Sequence, residues 1–201
     1  MNRTLPAALA SLLALSAAAA LAAPPSAGDL PTGSWAGEGV FTLHKWSKPE
    51  SEDAPAKPDA TEQGKYPTSL TIVATELDGR PVIRLEILSE RGQTKNLDGD
   101  RTHLVLVLAR DESVKPQGGV TAYKVVQSGL TTDASPLKLN SNDEKFPVIW
   151  CIRSGGQTTL QIAYAHGWSD SIVFAGDTAT KTGALTSDDG AVAWTETLNK
   201  R

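Results

Sequence analysis

GSWAGEGVFTLHKW, residues Gly33–Trp46, is the stretch whose reading decides the fold. Its side chains alternate. Trp35, Gly37, Gly39, Phe41 and Leu43 fall on one face of an extended chain, and Glu38, Thr42 and His44 on the other, because successive strand side chains point to opposite sides. Glycine weakens strand pairing and packs nothing, so Gly33, Gly37 and Gly39 on a single face need a reason. A closing barrel supplies one: its strands must bend sharply, and glycine permits both the bend and a close approach of backbones. Trp35 beside them is large enough to fill the closed end of such a barrel. Gly33–Trp46 is therefore read as a barrel-opening strand rather than the edge of a β-sandwich, which is kept as the alternative.

Outward from this strand the same period-two pattern recurs, and no segment after the N-terminal region carries apolar residues at helical spacing. Residues 47–67 hold Pro49, Pro55, Pro58 and Pro67 among acidic residues and lysines, a composition that cannot bury a core, and are expected to form a mobile loop. Strands are expected at 68–76, 82–88, 102–110 and 121–128, with a short edge piece at 137–140. Further strands follow at 146–153, 158–166, 171–175, 178–185 and 191–198. Asp78-Gly79, Gly155-Gly156 and Gly176-Asp177 are hairpin signals, since these residues suit the positive-φ positions of two-residue turns. The strand at 102–110 (THLVLVLAR) is apolar on both faces and so is expected to be covered on both sides. The sum is an all-β, antiparallel barrel of about nine or ten strands linked mainly by hairpins.

The Gly33-x-Trp35 opening, extended as Gly33-x-Trp35-x-Gly37-x-Gly39, resembles the first strand of the lipocalin-like (calycin) β-barrels, and the longer form also looks like the start of nitrobindin-type haem barrels. The lipocalin resemblance implies a barrel that holds a small apolar ligand, with a basic residue on or just after the last strand packing over Trp35. Lys200 and Arg201 are the residues available there. The nitrobindin resemblance implies haem ligated through a histidine late in the chain. The last histidine is His166, well before the final strand, so no cofactor is expected and haem is the alternative.

The N-terminus sets the expected compartment. Arg3 precedes an Ala/Leu run that ends in the small-x-small pattern Ala20-Leu21-Ala22, the layout of a secretory signal peptide cleaved after Ala22. The remaining residues, 23–201, are expected to form a single all-β domain in a secreted or periplasmic protein, without membrane insertion. The formal net charge is −4, with lysines and arginines scattered, which argues against a nucleic-acid partner. Cys151 is the only cysteine, so the domain has no internal disulfide. Its place in the apolar run FPVIWCIR reads as a buried, inert thiol.

No catalytic constellation emerges. His44, His103 and His166 lack metal-site spacing. HGWSDS (His166–Ser171) lacks the second glycine and the strand-to-helix setting of a nucleophile elbow and is read as a turn. Asp98 and Asp100 sit in a glycine turn that lacks the bidentate glutamate of a calcium loop. The expected function is non-enzymatic: binding of a small apolar molecule inside the barrel, or, on the sandwich alternative, of a protein or glycan through surface loops. The expected ligand-binding residues are Trp35, Phe41, Tyr123, Trp150, Tyr164, His166 and Trp194. Among the tryptophans, Trp35, Trp150 and Trp194 are assigned to the core, and Trp46 and Trp168, which border loops, to exposed contacts. Glu196 shares a face with Val192, Trp194 and Leu198 and is expected in water at the strand end. Were it buried it would need a partner, for which Arg153 and Arg84 are the candidates.

Overall fold

A computed structural model of the chain describes residues 30–46, 58–90, 101–141, 148–164, 167–187 and 190–201, the side chains of 58–60 excepted. The expected signal peptide, the turn holding Asp98 and Asp100, and His166 lie outside the described residues. Among the described residues there are eleven strands: β1 (Gly33–Trp46), β2 (Pro58–Leu77), β3 (Arg80–Glu90), β4 (Arg101–Arg110), β5 (Val120–Thr131), β6 (Asn140–Ser141), β7 (Ile149–Ser154), β8 (Gln157–Ala163), β9 (Ser169–Ala175), β10 (Thr178–Ser187) and β11 (Gly190–Lys200).

Each strand pairs antiparallel with its neighbour in sequence, except that β5 passes directly to β7 and the two-residue β6 hangs on β5 alone. β1 pairs with β11, and β4 with β5, so the sheet closes into a ten-stranded up-and-down barrel. The sandwich alternative is thereby set aside. Among the described residues closure leaves no long free edge in the main sheet, the feature by which a closed barrel disfavours edge-to-edge pairing.

The turns that enforce this topology are those of the sequence. Asp78 and Gly79 both have positive φ (52° and 72°), as do Gly155 and Gly156 (58° and 78°), the pattern of type I′ hairpins. At Gly176-Asp177 only the glycine is positive (60°), which matches type II′.

β1 behaves as its alternation requires: Trp35, Gly39, Phe41 and Leu43 are buried, and Glu38, Val40 and His44 exposed. Its glycines have separate duties. A Cβ at Gly37 would run into the carbonyl of Thr197 on β11, so Gly37 lets the two strands of the seam approach. A Cβ at Gly39 would strike the ring of Tyr66, so Gly39 opens space for that side chain to reach inward.

β2 departs from the expected loop. Residues 58–67 continue the strand and pair with β1 through Tyr66 opposite Gly39 and Pro67 opposite Glu38. The polar composition buries little, and Tyr66 is the only buried residue from 61 to 67. Backbone pairing with β1 nonetheless holds the segment extended. Its prolines are tolerated because β3 begins to pair only at Thr68, leaving this stretch of β2 with one partner strand. Residues 47–57 lie outside the described residues.

The interior is not uniform along the barrel axis. At the end where β1 begins and β11 finishes, Trp35, Leu70, Ile72, Leu85, Leu106, Leu108, Leu160, Ile172 and Leu198 pack into one continuous core. Trp35 is 1% exposed and its ring lies 5.2 Å from that of Phe174. Lys200 Nζ sits 5.9 Å from the Trp35 ring centroid, which places a basic residue of the last strand over this tryptophan. Tyr123 and Cys151 belong to the same packed end. Trp150 does not. It is 39% exposed on the outer face of β7, because the inward parity of that strand belongs to Ile149 and Cys151. The outward face of β4 is covered as expected, with Val105 fully buried and Val107 nearly so.

Candidate binding cavity

At the opposite end the barrel interior opens into a cavity of about 680 Å³. Phe41, Leu43, Tyr66, Leu104, Trp168, Leu185, Val192 and Trp194 form the apolar and aromatic part of its wall, with Lys45, Trp46, Ser187 and Gly190 toward the end of the barrel. Its volume falls within the ~300–1,000 Å³ usual for small-molecule sites, and an apolar wall with a few polar groups is their usual composition.

The polar groups come from adjacent strands and converge through register. Lys181 on β10 stands directly opposite Glu196 on β11, and both point inward between apolar neighbours. Their ion pair is 2.7 Å long, with the lysine 5% and the glutamate 1% exposed. Glu196 is not in water, and its partner is neither Arg84, which pairs with Glu86 on the outer surface, nor Arg153. Three hydroxyls complete its shell: Tyr66 OH donates to Oε1 at 3.0 Å, Ser89 Oγ to Oε1 at 3.2 Å and Thr68 Oγ1 to Oε2 at 2.8 Å. Four donors satisfy this carboxylate, which is what makes burial of its charge tolerable.

Asp170 is the second buried carboxylate. It is the second residue of β9 and shares an inward face with Ile172 and Phe174. The segment His166–Ser171 is thus only partly the expected turn, since Ser169 and Asp170 already belong to the strand. Trp194 Nε1 donates to Asp170 Oδ1 at 2.8 Å and Tyr164 OH to Oδ2 at 3.0 Å. Burial pushes the Asp170 carboxyl above its usual range, against the nearby Lys181 charge and the two hydrogen bonds, which favour the ionised form. Burial, followed by the Asp170 charge, holds the Tyr164 hydroxyl well above the ordinary tyrosine value. Gly183, opposite Asp170 on β10, is the space that permits this arrangement: a Cβ there would collide with Asp170 Oδ1 and the Trp194 ring.

The aromatic groups are tied to the same cluster. Trp168 stacks on Tyr164 with centroids 4.1 Å apart and meets Trp194 edge-on at 6.4 Å. Of the residues expected to bind a ligand, Phe41 and Trp194 line the cavity, and Tyr164 stands behind Asp170. Trp35 and Tyr123 lie in the packed end, and Trp150 faces outward. Trp46 and Trp168, assigned to loop-border contacts, both line the cavity. Lys181, Asp170 and Tyr66 were not singled out. The available signal was parity: Asp170 alternates with Ile172 and Phe174, and Lys181 with Ala179 and Leu185. Among the described residues no group of three or more histidine, cysteine or carboxylate side chains is placed to hold a metal ion.

The closed barrel is compatible with a lipocalin-like fold. Comparison with protein-family models, with curated proteins and with solved structures finds no match to this chain.

Proposed function

We propose that this chain is a non-enzymatic binding protein that holds a small, largely apolar molecule in the cavity end of its barrel and works outside the cytoplasm. The observation that carries this reading is the 680 Å³ cavity itself, walled by Phe41, Tyr66, Trp168 and Trp194 in a barrel whose other end is packed solid. A chain that can fill one half of its interior with leucine, isoleucine and tryptophan, yet leaves the other half hollow, keeps that space for a guest. The state of Glu196 supports a binding role over chemistry: its oxygens are engaged by Lys181, Tyr66, Thr68 and Ser89, which leaves it poorly placed to take a proton from a substrate. The N-terminal Ala/Leu run with its small-x-small end supports export.

The test is to express the full chain in an exporting host, purify it gently and record its native mass and absorbance. The expected result is a polypeptide beginning near Ala23 that carries a small-molecule mass, or, once stripped, binds the neutral fluorescent probe N-phenyl-1-naphthylamine. Val192→Trp, which fills the cavity, is expected to abolish that binding. Probe binding unaffected by Val192→Trp, or no binding at all, would overturn the reading, and a Soret band would redirect it to haem.

A further inference from the structure

The charges inside the barrel do not balance. Among the described residues the buried charged side chains are Asp170, Lys181 and Glu196, two carboxylates against one ammonium. The ammonium is committed to Glu196 at 2.7 Å. No lysine, arginine or histidine nitrogen of the described residues lies within 4.0 Å of the Asp170 carboxylate, which is 2% exposed and receives only the neutral donors of Tyr164 and Trp194. A carboxylate has about four lone-pair sites, so Asp170 keeps acceptor capacity beyond these two bonds. Buried charges in proteins are ordinarily paired, because removing an ion from water is costly. Asp170 shares the cavity lining with two tryptophans: Trp194, whose indole N–H it accepts at the ring edge, and Trp168, which meets Trp194 edge-on. Indole faces attract cations through the ring quadrupole.

We infer that the guest is an organic cation, an apolar body ending in a protonated amine, with the ammonium seated on Asp170 between Trp168 and Trp194 and the body along Phe41 and Val192. This rests on the cavity being a binding site and specifies its ligand class. An ammonium supplies the charge that Asp170 lacks and donates to its open lone pairs. An anion would meet two buried carboxylates; of the two lysines that line the cavity, Lys181 is already neutralised by Glu196, and Lys45 stands toward the end of the barrel, away from the buried cluster. A neutral ligand would leave Asp170 uncompensated.

Three probes with the same eight-carbon body decide this by calorimetry on the mature protein near pH 7.5: octylammonium, octan-2-one and octanoate. Octylammonium is expected to bind at least about tenfold more tightly than the ketone, as a buried charge pair with cation–π contact provides, and octanoate most weakly. Asp170→Asn is expected to bring octylammonium to parity with the ketone while ketone affinity stays within about twofold. Should that variant fail to fold, Trp168→Leu is expected to cost octylammonium at least about threefold relative to the ketone. If the ketone or octanoate binds most tightly, the inference is overturned. Equal binding of all three also overturns it but leaves the carrier reading standing. If none of the three binds, nor N-phenyl-1-naphthylamine, the carrier reading falls with it.

Discussion

The two ends of this barrel are built from the same ten strands, yet they solve opposite problems. Where β1 begins, inward positions carry Trp35, Leu70, Leu85, Leu106 and Leu198, each at most 1% exposed, and the interior is full. Where β1 ends, the inward positions of β9, β10 and β11 carry Asp170, Lys181, Trp194 and Glu196, and the interior is a cavity floored by charge. Burial in the first half is driven by removal of apolar surface, roughly 1.5–3 kcal/mol for each large side chain. In the second half, charge is kept inside by an ion pair and a shell of hydroxyl donors. The two ends therefore differ in what occupies them: one is filled by apolar packing, and the other keeps a cavity beside a buried ion pair.

The sharpest way to break this contrast is to leave Glu196 without its cation. Lys181→Met is predicted to cost about 3–5 kcal/mol in urea unfolding, and the double variant Lys181→Met/Glu196→Gln to recover most of it, because the remaining amide can still bond the three hydroxyls. A double variant as unstable as the single one would show that the charge pair is not the source of the loss. Next in size is the direct comparison of ends. Leu106→Ala, in the packed end, is predicted to cost about 2–5 kcal/mol by opening a new void. Leu185→Ala, whose side chain already borders the cavity, should cost about 1 kcal/mol or less. Equal losses would refute the division into two ends. Gly183→Ala is predicted to cost about 1–3 kcal/mol, through the collision with Asp170 and the Trp194 ring, and to shift tryptophan fluorescence by displacing that ring.

The pH dependence sharpens the picture further. Because burial raises the Asp170 pKa, the folded protein favours its protonated form more than the unfolded chain does. Its contribution to stability is therefore fullest below the ordinary value of 3.8 and is lost as pH rises through the raised folded value. Relative to wild type, Asp170→Asn should gain stability over that window, measured by thermal unfolding across pH. A constant difference from acid to neutral pH would show that Asp170 does not carry it. The smallest effect is expected of Tyr66→Phe, about 1 kcal/mol, since it removes one of four donors to Glu196.

Much of the fold was legible in the residues. The alternation in Gly33–Trp46, the positive-φ turns at Asp78-Gly79 and Gly155-Gly156, and the absence of helical spacing are local signals, and local signals survive into the structure. The first half of β2 was not legible, because its strand character comes from pairing with β1 rather than from its own composition. At Trp150-Cys151 both residues are apolar, so the sequence allowed either parity, and the structure takes the one that buries the sulfur. The site was legible only in part for a related reason. Parity assigns Trp35, Tyr123 and Trp194 alike to the interior, but height along the barrel axis, which separates packed end from cavity, depends on the register of ten strands. The same register, not any spacing within one strand, sets Lys181 against Glu196 and Asp170 against Gly183.

The seam between β1 and β11 carries a consequence for how the barrel assembles. Every other pairing along the wall joins strands close in sequence, and can form as a hairpin or a short-range addition. The seam alone unites the first and last strands, with Trp35 opposite Lys200, so its loop-closure entropy is the largest of any pairing and its rewards come last. Assembly is then a zipper of hairpins awaiting one ring-closing event. The same adjacency makes the barrel a candidate for circular permutation: a short linker across the seam, with new ends cut at the exposed Gly155-Gly156 turn, would make the seam a local hairpin and open the wall at a place remote from the cavity.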